Sequence, residues 1–85
     1  MTSLPNISIV MSVYNGADRL REAIESVLSQ EGVSLEFIVI DDGSTDGTDV
    51  IIGEYARHDT RVKILHPGAS SIFLQSRPRL LALRL

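Results

Sequence analysis

The chain is short, and its composition limits it to one small globular domain. It has 85 residues, of which 44% are hydrophobic and 22% charged, values that argue against a disordered or fibrous protein. The absence of cysteine excludes disulfides and thiolate metal sites. No apolar run approaches the roughly 20 residues of a membrane-spanning helix, and no basic and apolar leader is present. We therefore expect a cytoplasmic protein without a membrane span.

The charges are divided unevenly along the chain. Residues 1–67 hold five basic and eleven acidic residues, whereas residues 68–85 hold three arginines and no acid. Binding to duplex nucleic acid requires clustered Lys and Arg, so the acidic portion argues against a nucleic-acid partner. The break in composition separates a main body, residues 1–67, from an atypical tail, residues 68–85.

Three strand-like segments alternate with two helical patterns in the main body. Residues 7–13 and 35–40 are short and rich in branched apolar residues, as buried strands are, whereas residues 61–66 at first alternate polar with apolar residues, as a strand nearer the sheet edge does. Between them, apolar residues recur at the spacing of one helix face: Leu20, Ile24, Val27 and Leu28 in the first segment, and Val50, Ile51, Ile52, Tyr55 and Ala56 in the second. The first helix should end near Gln30. This order predicts an α/β fold with a partial Rossmann-like parallel sheet, βαβαβ.

Polar residues follow the first two predicted strands, at Ser12, Tyr14 and Asn15 and at Asp41 and Asp42. In an open parallel sheet, ligands bind at the carboxyl ends of the strands. A carboxylate there can accept hydrogen bonds from a ribose or a base N–H, and a tyrosine can pack on a base. For Asp41, a role in closing the turn is favoured over ligand contact, whereas for Asp42 ligand contact is favoured. The pattern predicts a nucleoside site.

Two further acids, Asp46 and Asp49, are interpreted as capping residues of the second helix. Three phosphate-handling motifs fit poorly. A haloacid-type phosphatase loop requires an acid where Ile40 stands, and a phosphate-binding P-loop requires a lysine after Gly47, which is absent. The paired acids, later Asp and lysine of a phospho-receiver domain are not arranged here either.

Three segments resemble the opening of family 2 glycosyltransferases of the GT-A fold. They are residues 7–16, 23–30 and 37–48, and the most specific part reads Asp-Asp-Gly-Ser-Thr-Asp-Gly-Thr from Asp41 to Thr48. The resemblance covers residues 6–66. It implies a nucleotide-diphospho-sugar transferase fold with a nucleotide-sugar partner, a UDP-sugar, from which the full-length family transfers the sugar to an acceptor with inversion.

The resemblance also implies a role for each matching residue. Asp42 would contact the base, Tyr14 would stack on it, and Ser12 and Asn15 would shape the pocket, with Asp41 completing the predicted nucleotide-binding set. Ser12 departs from the proline that many relatives carry at this position. The backbone there matters more than the side chain, so the change should be tolerated.

The catalytic half of the family has no counterpart in the sequence. Members place a metal-binding Asp-x-Asp motif after a later strand and a catalytic base later still, but no Asp or Glu follows Asp59. We therefore predict no catalytic residue and no metal ligand in this chain, although Mg²⁺ or Mn²⁺ is expected for the full-length family. The relatives' Asn- and Gly-containing stretch after the third strand is also replaced, by residues 67–71.

Two functional hypotheses remain. The first is the nucleotide-binding portion of a glycosyltransferase, produced by truncation or by a shift of reading frame and without activity of its own. The second is a small non-catalytic nucleotide-binding or interaction module. Composition favours the first, because acids and family resemblance are lost at one point. The four leucines among the last six residues form an apolar tail through which the chain could associate with a partner.

Overall fold

A computed structural model describes residues 6–65 and 79–85. In chain order its elements are β1 (Ile7–Val13), α1 (Ala17–Leu28), β2 (Leu35–Asp41), α2 (Thr48–His58), β3 (Val62–Leu65) and β4 (Leu80–Arg84). The strands form one sheet in the order β3-β2-β1-β4, and every pairing is parallel. The predicted α/β fold with a partial Rossmann-like parallel sheet is confirmed. None of the helices in the described ranges is long and apolar enough to cross a bilayer.

The fourth strand is the main difference from the sequence prediction, which assigned no strand to the tail. β4 pairs with β1 on the side opposite β2, in a register that runs from Ser8↔Leu80 to Ser12↔Arg84. Four of its five residues are apolar, so it lacks the alternation that marks a half-buried strand. Its conformation depends on pairing with β1, which lies far away in the sequence. The predicted boundary at residues 67 and 68 lies outside the described residues.

Both helices pack on the same face of the sheet. The steps from β1 to β2 and from β2 to β3 run in one direction, and right-handed crossovers then place both connecting helices on one side. The core is formed by alternate residues of the two central strands and by the apolar faces of the helices. Its buried members are Ile9, Met11, Val13, Leu20, Ile24, Val27, Leu35, Phe37, Val39 and Ile52.

The other face of the two central strands is buried as well, which is usual for a parallel sheet. Val10 and Ile38 supply the apolar contacts there. Ser8 and Glu36 are neighbours in the β1–β2 register and are also buried. The Ser8 hydroxyl donates a hydrogen bond to Glu36 Oε1 over 2.7 Å. A polar contact is therefore enclosed within an otherwise apolar layer.

The helices end close to the predicted positions. α1 ends at Leu28, and the backbone N–H groups of Ser29 and Gln30 donate to the carbonyl groups of Glu25 and Val27. The predicted end near Gln30 is thus correct to within about one helical turn. Gly32 has a φ of 74°, the left-handed conformation in which glycine follows a helix at low cost.

Gly16 connects β1 to α1 in a tightly packed position. A Cβ atom at this residue would lie 2.8 Å from Val13 Cγ2 and 3.2 Å from Leu85 Cδ2. Leu85 follows β4 and packs against the core. The absence of a side chain at Gly16 therefore allows the start of α1, the end of β1 and the end of β4 to meet at one edge of the sheet.

Candidate functional site

The predicted base-contacting residues follow neighbouring strands at the carboxyl edge of the sheet. Val13 is paired with Asp41, and Tyr14 and Asp42 are the next residues of their chains. The backbone N–H of Asp42 donates to the Val13 carbonyl over 2.8 Å, which extends the ladder by one step. Tyr14 is 60% exposed, and Asp42 is also exposed. An aromatic ring and a carboxylate are thus available side by side.

Ser12 lies on the face of the sheet that is turned away from α1 and α2. Side chains alternate along a strand, and Met11 and Val13 belong to the core beneath the helices. The same alternation, continued along the extended ladder, places Asp42 on the face of Ser12. Ser12 is exposed, so three of the predicted site residues, Ser12, Tyr14 and Asp42, are accessible at one end of β1 and β2.

Asn15 joins the two loops at this edge, which are the β1–α1 loop, residues 14–16, and the β2–α2 loop, residues 42–47. Its backbone N–H donates to Ser44 Oγ, and its Oδ1 accepts from the backbone N–H of Thr45, both over 2.8 Å. The backbone of Asn15 has a φ of 50°, in the left-handed region that Asn tolerates better than most residues. Both of these hydrogen bonds of Asn15 are therefore made to the neighbouring loop of the protein.

Asp41 is placed differently from Asp42. Its Oδ1 accepts from the backbone N–H of Ser44 over 3.0 Å, which closes the turn after β2 and agrees with the role favoured from the sequence. Asp41 also lines a cleft of about 530 Å³ on the helix side of the sheet. The remaining lining residues are Gly43, Ser44, Asp49, Ile52, Ile64 and Leu65.

Asp46 binds the first turns of both helices. Its Oδ2 accepts from the backbone N–H of Ala17, the first residue of α1, over 3.1 Å. Its Oδ1 accepts from both the backbone N–H and the hydroxyl of Thr48, the first residue of α2, at 3.2 and 2.5 Å. Amides at helix N-termini lack partners within the helix, and one carboxylate here supplies them for two helices. The predicted capping role is confirmed for Asp46.

The hydrogen bonds to Asp46 make folding sensitive to acid. The Thr48 hydroxyl, followed by the Ala17 and Thr48 amides, stabilises the carboxylate and holds the pKa of Asp46 below its ordinary value of 3.8, against an opposing effect of desolvation. A lowered pKa gives stability that is complete above the ordinary value and is lost as the pH falls through the folded-state value. We expect Asp46→Asn to be less stable than wild type at neutral pH and to lose less stability below about pH 4.

Urea unfolding measured between about pH 6 and pH 2 tests this expectation. Asp59 provides the matched control, because hydrogen bonds from Arg61 lower its pKa as well, at a site remote from the two loops. Asp46→Asn should retain the part of the acid dependence that belongs to Asp59, and Asp59→Asn should retain the part that belongs to Asp46. Identical pH profiles for wild type and Asp46→Asn would contradict the assignment.

The described part of this edge does not suit a divalent cation. No group of three or more potential ligands occurs within residues 6–65 and 79–85. β4 ends in Arg84, which is level with Ser12 in the β1–β4 register, and an arginine repels a cation. Asp41 and Asp46 already accept hydrogen bonds from backbone amides.

The structure brings together most of the residues predicted from the sequence and adds others. Three residues that were not predicted as site residues take part in the hydrogen bonds that connect the loops: Ser44 as an acceptor, and Thr45 and Ala17 as donors. Asp49, which was predicted as a cap, lines the cleft. No spacing in the sequence indicates these partners. They meet because parallel pairing of β1 and β2 brings the two loops to the same edge.

Comparison with known proteins identifies the family. The family model described as Glycosyl transferase family 2 matches residues 8–71, and the chain belongs to this family. EpsE of Bacillus subtilis, which is provisionally assigned as a glycosyltransferase, is 46% identical over 66 residues. The matched residues are 76% of this chain and 24% of EpsE. The succinoglycan biosynthesis protein ExoO of Rhizobium meliloti is 42% identical over 62 residues, 73% of this chain and 17% of ExoO. The chain thus spans about a quarter or less of these relatives.

Two solved structures share the fold. S. aureus TarS, residues 1–349, matches with a TM-score of 0.72 and 23% identity, over 92% of this chain and 26% of that structure. The mannosyltransferase PcManGT of Pyrobaculum calidifontis, solved with GDP-Man and Mn²⁺, matches with a TM-score of 0.66 and 24% identity, over 79% of this chain and 21% of that one. At such identities the likeness concerns the fold, which is that of GT-A glycosyltransferases.

Proposed function

We propose that this chain supplies the nucleotide-binding half of a family 2 glycosyltransferase and that the nucleotide is that of a UDP-sugar. The observation that carries the proposal is the placement of Tyr14 and Asp42. Both are accessible, and both follow directly after the paired residues Val13 and Asp41 on adjacent strands. Adjacent strands lie about 4.8 Å apart, so one planar base can contact both side chains.

The chemistry of the two side chains suits a base such as uracil. The Tyr14 ring can stack on the face of the base, and the carboxylate of Asp42 can accept a hydrogen bond from a base N–H. Ser12, on the same face, completes the polar rim. We assign no catalytic residue to the described part of the chain, and transfer of a sugar is proposed only for a protein that contains the remainder of the family fold.

Titration calorimetry with UDP, in the presence of a chelator, tests the proposal with this chain alone. We expect measurable binding by wild type and binding weaker by about tenfold or more in Asp42→Ala. A hydrogen bond to a charged group contributes about 1.5–3 kcal/mol, and each 1.4 kcal/mol corresponds to a factor of ten. Uridine and GDP serve as comparison ligands, and preference for GDP would overturn the assignment of UDP while leaving a nucleotide site.

Glu22→Ala is the matched control for Asp42→Ala. Glu22 is exposed on α1 and away from the two loops, so its replacement removes the same charge without touching the site and should leave affinity unchanged. Asp41→Ala tests whether the base binds in the cleft on the helix side, which Asp41 lines, or on the opposite face, where Asp42 lies. A larger loss with Asp41→Ala than with Asp42→Ala would place the base in the cleft on the helix side. Failure of folded wild-type chain to bind UDP, GDP or uridine would reject the nucleotide site.

A second candidate is a non-catalytic interaction module, which the exposed leucines of β4 favour. Leu80, Leu81 and Leu83 are 47%, 49% and 40% exposed, and β4 forms one edge of the sheet. Edge strands with apolar side chains are templates for association. Nucleotide titration discriminates between the two candidates, since only the first requires Tyr14 and Asp42 to bind a ligand.

A further inference from the structure

Asn15 is hydrogen-bonded to the β2–α2 loop through both its backbone and its side chain. The backbone N–H bonds to Ser44 Oγ, and the side-chain Oδ1 bonds to the N–H of Thr45, with 2.8 Å in each case. These partners are 29 and 30 residues further along the chain, so the two bonds tie one loop to the other. The tie lies beside the proposed contacts, since Tyr14 precedes Asn15 and Asp42 lies two residues before Ser44.

The turn at Asn15 and its side-chain bond are separate features that can be tested separately. The φ of 50° disfavours most residues but is accessible to Asn, Asp and Gly. Glycine at position 15 would keep the turn and remove the acceptor. Aspartate would keep both the turn and the acceptor, would add a negative charge and would remove the Nδ2 donor, for which no hydrogen bond is found within residues 6–65 and 79–85.

The β2–α2 loop has a second attachment that acts in the same direction. Asp46 bonds to Ala17 over 3.1 Å, so the loop is attached to the chain on both sides of Gly16. Two attachments restrict rotation of the loop more than one does. The attachment at Asn15 is the nearer of the two to Tyr14 and Asp42. Loss of its side-chain acceptor would leave this part of the loop held by the bond from the Asn15 N–H to Ser44 and by the bond from Ser44 to Asp41.

We propose that Asn15 is a positioning residue of the nucleotide site: its Oδ1 holds the β2–α2 loop so that Tyr14 and Asp42 keep a fixed separation and orientation. The inference rests on the proposed function, because that function assigns the two contacts. Binding sites whose side chains are held in place before the ligand arrives avoid part of the entropic cost of immobilising them. Asn15 acts through Tyr14 and Asp42 and does not touch the base.

The test uses Tyr14 as a reporter in the whole chain. The chain has two tyrosines and no tryptophan, so Tyr55→Phe leaves Tyr14 as the sole tyrosine, and labelling with 3-fluorotyrosine then gives a single ¹⁹F resonance. Asn15→Gly and Asn15→Asp are compared in this background. Without ligand, Asn15→Gly should shift the resonance toward that of free fluorotyrosine, and Asn15→Asp should restore the position seen with Asn15.

Uridine is the binding probe, because it is uncharged and the carboxylate of Asn15→Asp therefore does not repel it. We expect Asn15→Gly to bind uridine about fivefold to tenfold more weakly, the order expected when two side chains must be immobilised on binding. Asn15→Asp should bind within about twofold of the Asn15 parent. Equal losses in Asn15→Gly and Asn15→Asp would show that Nδ2 contacts the ligand and would overturn the positioning role.

Two further outcomes also contradict the inference. If Asn15→Gly lowers the melting temperature while the folded protein keeps its affinity and its ¹⁹F shift, Asn15 serves stability alone. If the ligand-free resonance is the same in all three chains, the tie does not position Tyr14. Because that resonance is recorded without nucleotide, it tests the tie even where the wild-type chain fails to bind uridine, an outcome that counts against the proposed function instead.

Discussion

We expect Phe37→Ala to lower the free energy of unfolding by about 3–5 kcal/mol, the usual cost of removing a large aromatic side chain from a core. Phe37 is completely buried in β2, one of the two central strands. It is paired with Ile9 and with Val62 in the parallel registers of its two neighbours. The cavity left behind would therefore lie at the centre of the sheet, where the surrounding strands can collapse little.

Urea unfolding followed by circular dichroism measures this loss. Small proteins are stable by only about 5–15 kcal/mol, so the variant should unfold at a much lower urea concentration. Val33→Ala is the control, because Val33 is 45% exposed in the segment before β2 and its truncation should cost less than about 0.5 kcal/mol. Similar midpoints for Phe37→Ala and Val33→Ala would show that Phe37 does not belong to the core.

Ser8→Ala has the second-largest expected effect, about 1.5–3 kcal/mol of destabilisation, the usual range for a hydrogen bond to a charged group. The Ser8 hydroxyl donates to Glu36 Oε1, and both residues are buried between apolar neighbours. Removing the hydroxyl takes a donor from a carboxylate that has limited access to water. The loss should thus exceed that of an exposed serine on the same strand.

Ser12→Ala supplies that comparison in the same unfolding experiment. Ser12 lies on the same strand and face as Ser8 but is exposed, so its hydroxyl exchanges freely with water. Equal losses of unfolding free energy in Ser8→Ala and Ser12→Ala would contradict the explanation, because the buried hydrogen bond of Ser8 would then contribute no more than an exposed hydroxyl.

Most of the fold could be predicted because local pattern and tertiary environment agree. The apolar runs that became β1, β2 and β3 are short and bounded by turn residues, and Leu20, Ile24 and Val27 meet the core as their helical spacing indicates. β4 could not be predicted in this way. Its residues show no alternation and it is an edge strand, so only the unpaired side of β1 determines that it is extended.

The candidate site was predictable in part, for a related reason. Residues after parallel strands meet at one edge of a sheet, and this rule alone brings Tyr14 and Asp42 together. The ties between the loops follow from details of backbone direction, such as the φ of 50° at Asn15, which no periodicity reports. The double role of Asp46 likewise depends on the starting positions of two helices. A part in nucleotide binding for Ser12, Tyr14, Asn15, Asp41 and Asp42 stays a prediction.

The strand order also has a consequence during synthesis of the chain. β1 is made first among the described strands but lies between β2 and β4, and β4 begins at Leu80, 67 positions after β1 ends at Val13. β2 can pair with β1 early, whereas the other side of β1 must wait until β4 has left the ribosome. Pairing between strands distant in sequence is slow, and exposed strand edges favour aggregation. The nascent chain would therefore carry an open, apolar β1 edge until β4 has been made.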